Sequence, residues 1–197
     1  NTEWGAVAYL SRSQYGKKSA VYNNPYWNNK DYNGTIYYSS ITGLCGKSQN
    51  YLTTAYNDPN VYKYNTTEGK NASTTGNVYG VYDMAGGAWE YVAAVLSSKK
   101  SNGDRYNFTN IDTKYYESYD SYDNSKYGDA VYETSTNSEG GNSWDNNHSC
   151  FVLESYPVFL RGGHAFSGGN AGVFAFTCDY GGINAGDSFR PCLVSPQ

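Results

Sequence analysis

Apolar residues recur at a helical spacing near the start of this chain. Trp4, Val7 and Ala8, with Ser11, fall on one face of a helix running from Thr2 to about Tyr15. Thr2 is placed to cap it, Glu3 lies in its first turn, and Gly16-Lys17-Lys18 ends it. From Tyr22 to Asn77 the pattern is polar and aperiodic. It predicts loop, with short strands near Thr35–Tyr38 and Val61–Tyr64. Val78 to Leu96 is the most apolar stretch and reads as a turn or short strand leading into a buried segment through Trp89 and Tyr91. Ser97 to Asn147 is polar again but rich in Tyr, which argues against disorder. From Phe151 onward, short apolar runs alternate with Gly-rich turns: Val158–Arg161, Ala171–Thr177 and Phe189–Val194 read as strands of an antiparallel sheet. No repeat or linker divides the chain. Residues 1–197 therefore read as one α+β domain, with an insertion over 98–147 and a C-terminal segment over 157–193.

Composition narrows the function classes. A chain of 197 residues can bury one real core. Its net charge of -4, with no basic run, disfavours nucleic acid as a partner. No apolar run approaches the ~20 residues needed to span a bilayer; the longest, Trp89 to Leu96, is broken by Glu90. No leader or lipidation pattern is present, and a start at Asn1 without Met is expected of a processed chain. The 23 Tyr and 22 Gly, with abundant Asn and Ser and only 16% charged residues, are the palette of binding surfaces. Tyr gives rigid amphipathic contact area there, and the small polar residues give adaptable hydrogen bonds. The same palette also suits a loop-heavy extracellular domain with no ligand, or a self-assembling subunit.

Cys45, Cys150, Cys178 and Cys192 are dispersed, with no CxxC pair, so a zinc ribbon or redox motif is disfavoured. Disulfides in an oxidising compartment are expected, and all three pairings are open. Glycosylation sequons start at Asn33, Asn65, Asn71, Asn107 and Asn147.

Two segments carry chemistry. In Asp83-Met84-Ala85-Gly86-Gly87-Ala88-Trp89-Glu90, two carboxylates and the carbonyls of Gly86 and Ala88 form a hard-oxygen set suited to Ca²⁺. The alternative is an ion-free turn in which Glu90 accepts backbone N–H bonds. The second segment is Phe159-Leu160-Arg161-Gly162-Gly163, followed by Ser188-Phe189-Arg190. Arg161 and Arg190 are suited to bridging backbone carbonyls or a carboxylate across the sheet. Trp4, Trp89 and Phe189 are assigned to the core. Trp27 and Trp144, in polar loops, are either loop anchors or ligand platforms.

Together these blocks resemble the formylglycine-generating-enzyme branch of the C-type lectin fold. The resemblance implies a C-type lectin-like α+β domain with small antiparallel sheets, and a structural calcium held by Asp83, Gly86, Ala88 and Glu90. In the copper-dependent oxidases of that branch two cysteines follow the Gly-Gly pair; here the matching positions hold Phe166 or Ser167, then Ala171 or Gly172. Copper(I) needs soft thiolates, so oxidase activity is not expected. The enzymes' Leu-Pro-Thr-Glu-x-Glu-Trp-Glu signature is also missing from Tyr51–Lys63. What remains is similar to the non-enzymatic relatives, including the retroelement-diversified variable proteins, which hold a scaffold constant and vary exposed C-terminal side chains. The resemblance implies ligand contacts at His164, Phe166, Ser167, Asn170, Thr177, Asp179, Tyr180, Asn184 and Asp187.

Other chemistries lack an anchor. His148 and His164 do not combine with cysteine at zinc spacing, and no G-x-S-x-G elbow or nucleotide-binding glycine pattern occurs. The sequence thus predicts a non-enzymatic adhesin-like domain, extracellular, on a cell surface or on a phage particle. It would bind a protein or glycan ligand, with a surface-filament subunit as the alternative.

Overall fold

The structure is a computed structural model. It describes residues 1–25, 28–30, 36–39, 41–53, 57–120, 126–135, 140–184 and 186–192. The first helix, α1, spans Thr2–Arg12 and buries Trp4, Ala8 and Ser11. Asn1, not Thr2, occupies the N-cap position, and the helix stops at Ser13, where the backbone turns extended and its N–H closes onto Tyr9 and Leu10.

The strands in chain order are β1 (Asn28–Lys30), β2 (Ile36–Ser39), β3 (Leu44–Gly46), β4 (Val61–Lys63), β5 (Trp89–Leu96), β6 (Glu117–Tyr119), β7 (Gly141–Asn142), β8 (His148–Ser149), β9 (Val158–Gly162), β10 (Gly172–Asp179) and β11 (Asp187–Phe189). β1–β2 and β3–β4 form separate two-stranded ribbons, and the other seven strands form one sheet, ordered β11-β5-β9-β10-β8-β7 with β6 also on β5. The chain is therefore α+β, as composition and pattern predict. The sheet is mixed and not antiparallel throughout. β5, β9 and β10 pair antiparallel, whereas β11 and β6 join β5 in parallel and β8 joins β10 in parallel. The strand expected at Phe189–Val194 runs instead over Asp187–Phe189, and its predicted end at 193–194 lies outside the described residues, as do Trp27 and Thr35.

Register assigns the two faces of the sheet, because paired residues share a face. One row runs Phe189, Tyr91, Leu160, Thr177; a neighbouring pair on the same face is Asp187 and Trp89. The opposite face carries Ser188, Glu90, Arg161 and Phe176 in one row. That second face is the structural one. Trp4 and Ala8 of α1 pack there with Met84, Val173 and Phe174, while Phe159 and Phe176 pack with Tyr119, Val131 and Phe151.

The Tyr-rich insertion is built into the core. Tyr119, Ala130 and Val131 are buried beneath the structural face, and Tyr116 joins Val95 and Val158 on the other. Arg161, fully buried, ties these parts together. Its guanidinium donates to Asn1 Oδ1 (3.1 Å), Asp129 O (3.1 Å) and Ala130 O (3.4 Å), and stacks over Trp4 and Phe176. Burial pushes its pKa down to about 10, so it stays charged at neutral pH.

Candidate functional site

The calcium-type block is the turn between Asp83 and β5. Asp83 has φ +56°, and Gly86 and Gly87 both have φ +72°, so the chain folds back tightly. A Cβ on Gly86 would lie 2.6 Å from Asn24 O, because Asn24 bridges alongside it. A guanidinium engages both ends of this block. Arg190 donates to both Glu90 oxygens (Nε to Oε2, 2.9 Å; Nη2 to Oε1, 2.7 Å), to Tyr82 O (3.1 Å) and to Asp83 O (2.9 Å). The Asp83 carboxylate meanwhile accepts from the Tyr64 hydroxyl and from Asn24 Nδ2. As arranged, these residues do not fit calcium: both Glu90 oxygens are committed to a cation already. Among the described residues, no cluster of three or more His, Cys, Asp or Glu is spaced to hold a metal. A cavity of about 590 Å³ adjoins the clamp, between α1, β5 and residues 113–117, and includes Glu90, Arg190 and Cys192 in its lining.

The nine C-terminal candidates divide into presenters and braces. Two turns carry six of them, while Thr177 and Asp179 lie on β10 and Asp187 on β11; both turns meet near the start of β5, where Ala165 N donates to Gly87 O (2.9 Å) and Trp89 N to Gly186 O (2.8 Å). In the first turn, a short 3₁₀ segment over Ala165–Asn170, Ser167 Oγ accepts from His164 N (3.2 Å) and lies 3.1 Å from His164 Nδ1. Ser167 thus orients His164, leaving Phe166 and Asn170 exposed. At the second turn Asp179 Oδ1 accepts from Tyr91 OH (2.6 Å), Gly181 N (2.6 Å) and Gly182 N (3.3 Å), so its carboxylate is a brace. Asn184 Oδ1 accepts from Gly186 N, and Asn184 itself is exposed. Tyr180 is exposed and lies under the Arg105 guanidinium (4.4 Å), and Gly181 has φ +81° with no room for a Cβ against the Tyr106 ring. The insertion therefore props the turn from behind.

Thr177 and Asp187, half-buried, lie on the same sheet face as Trp89 and Tyr91. Burial, followed by the nearby Asp179 charge, pushes the Asp187 carboxyl up to about 6.

Three residues that sequence reasoning placed elsewhere belong here. Trp89 is only partly buried and sits edge-on to His148 (6.4 Å) and His164 (6.1 Å), the latter also edge-on to Phe166. Phe189, expected in the core, is 78% exposed, because β11 is a sheet-edge strand and its side chain points to the presenting face. His148, discounted above as a zinc ligand, lies on β8. Burial lowers the pKa of both histidines, which favours neutral rings that can donate and accept. Trp144 anchors its loop edge-on to Phe174 (5.3 Å). Comparison with protein-family models, curated proteins and solved structures returned no match. Among the described residues no helix is long and apolar enough to cross a membrane.

Proposed function

We propose that this chain is a non-enzymatic recognition domain on a C-type lectin-like frame, binding a protein or glycan through the presenting face and its two turns. The observation that carries this reading is the segregation of the sheet. Its structural face is packed against α1 and the insertion, and the insertion also covers the other face at Val95 and Val158, while Phe166 (44% exposed), Tyr180 (39%), Ile183 (105%) and Phe189 (78%) gather on the C-terminal turns and edge of that other face. Exposed aromatics beside Asn170, Asn184, Thr177 and neutral histidines combine apolar contact with adaptable hydrogen bonding, the chemistry of paratopes. Loops on a rigid sheet tolerate change in the side chains that they present. The resemblance to the formylglycine-generating branch, with thiols absent at its copper positions, agrees with binding and not oxidation. An extracellular or surface location, on a cell or a phage particle, goes with this role.

Screening immobilised glycan and peptide libraries with the wild-type chain and with a Phe166→Ser/Asn170→Ala/Asn184→Ala variant tests the reading. Ligands retained by the wild type and lost by the equally stable variant support it; ligands bound alike by both refute it. The exposed β11 edge, with Phe189 and Ile183 beside it, favours one second reading, a self-assembling surface subunit, since open edges pair with other chains. Light scattering over a concentration series separates the two: a monomer favours recognition and polymers favour assembly.

A further inference from the structure

We infer that Cys150 and Cys178 form a disulfide that staples β8 to β10, and that Cys45 and Cys192 remain thiols. The two Sγ atoms face each other at 3.2 Å. A bond of about 2.0 Å needs a closure of roughly 1 Å, within reach of side-chain rotation. The backbone already aligns them: β8 and β10 pair in parallel through Ser149 and Phe176, and Cys150 N donates to Phe176 O at 3.1 Å.

The remaining cysteines are separated. Cys45 is buried in β3 with its Sγ against Gly46 O (3.3 Å), and burial pushes its thiol up to about 12. Cys192 is exposed beyond β11 and lines the cavity beside Trp4 and Glu90. Of the three pairings open to four cysteines, the geometry therefore supports one bond from one of them.

The bond has a structural consequence. β8 is two residues long and joins β10 through a single register pair, yet it carries His148 to the edge of Trp89. Linking residues 28 apart in sequence removes loop-closure entropy from the unfolded chain. It also fixes β8 against the sheet, whether or not the presenting face binds a ligand.

Formation needs an oxidant, and a low-molecular-weight disulfide such as oxidised glutathione supplies it. One cysteine thiolate attacks the glutathione disulfide and releases one glutathione thiol. The second cysteine then displaces the other glutathione from the mixed disulfide. Two protein thiols are oxidised to one disulfide, and one glutathione disulfide is reduced to two thiols that take up the two protons. In the folded dithiol, the hydrogen bond with Cys150 and then burial hold the Cys178 thiol far above its ordinary pKa. Its thiolate is scarce there, so exchange runs faster on the unfolded chain.

The test is to refold the denatured, reduced chain in a glutathione redox buffer, alkylate without reduction, digest, and map the peptides by mass spectrometry. The expected product is one linked peptide pair joining Cys150 to Cys178, with Cys45 and Cys192 alkylated. Adding a phosphine reductant is expected to lower the melting temperature by on the order of 10 °C. A Cys178→Ser chain should start at the lower temperature and ignore the reductant. Four alkylated cysteines, a link between any other pair, or a wild-type melting temperature indifferent to reductant overturns the inference.

Discussion

Arg190 grips Glu90 with two nitrogens of its guanidinium, at 2.9 and 2.7 Å, from the chain position immediately after β11. The pair joins the end of the C-terminal segment to β5, and Glu90 is almost fully buried. The same guanidinium reaches the carbonyls of Tyr82 and Asp83, so it ties the turn before β5 to the end of β11. Its pKa is raised, first by the hydrogen bonds to Glu90.

Arg190→Gln strands a buried carboxylate, and the expected loss is about 2–4 kcal/mol, read from urea denaturation. Arg190→Lys is expected to recover only part, because an ammonium cannot form the bidentate fork. Since the clamp is a side chain, calcium and chelator should leave the wild-type melting temperature within about 2 °C. A calcium-dependent rise well beyond that would return Asp83, Gly86, Ala88 and Glu90 to the role of ligands.

Arg161→Met tests the buried hub. Met fills much of the same volume but leaves Asn1 Oδ1 and the carbonyls of Asp129 and Ala130 without their donor. It also removes the counter-charge to Asp129, whose own pKa burial already raises. The expected cost is about 3–5 kcal/mol, with the N-terminus and residues 126–135 gaining hydrogen exchange first. A loss under about 1 kcal/mol would show that the hub is not holding those segments.

Asp187 gives the face a pH signature. Its folded pKa, about 6, lies above the ordinary aspartate value, so the folded state favours the protonated form. The associated stability is fully present below about pH 4 and is lost as pH rises through about 6. The groups facing it are Asp179, whose charge raises it, and Tyr91, whose hydrogen bond lowers it. His148 and His164 act in the opposite sense, since their lowered pKa values make acid destabilising as pH falls below about 6.5. Comparison with Asp187→Asn isolates the carboxyl. The variant should match the wild type near pH 4 and melt higher near pH 8, with an increment tempered by the half-exposed setting. Equal melting temperatures at both pH values would contradict this.

How far the sequence was legible depends on how local the cause was. α1 and the Val158–Gly162 strand could be read because their periodicity or their flanking glycines are local. Both arginines were read correctly as bridges, since a guanidinium beside an apolar strand has few other ways to be satisfied. β5 was not recognised as a strand because Val92–Leu96 is an unbroken apolar run with no polar residue to mark alternation. Had it been, the period of two would have put Trp89 and Tyr91 on one face and Glu90 on the other. The parallel pairings of β11 and β6 with β5 are long-range and leave no local pattern. The insertion looked polar because its buried Tyr119 and Asp129 satisfy each other, and the sequon at Asn147 proved to be core. Its amide accepts from Phe174 N and donates to Ala171 O, leaving the side chain buried and unsuited to carrying a glycan. Ser167 and Asp179, expected to contact a ligand, have their side-chain oxygens engaged within the chain, a distinction that only hydrogen-bond geometry makes.

The most direct measurement of the central claim is a display library randomised at Phe166, Asn170, Thr177, Tyr180 and Asn184, leaving Ser167, Asp179 and both arginines intact. If these residues form a presenting surface on an independent frame, most members should fold, with melting temperatures within about 5 °C of the parent. Selection against unrelated protein or glycan targets should then yield specific binders. A library that largely fails to fold, or folds but yields no binder to any target, would contradict the account.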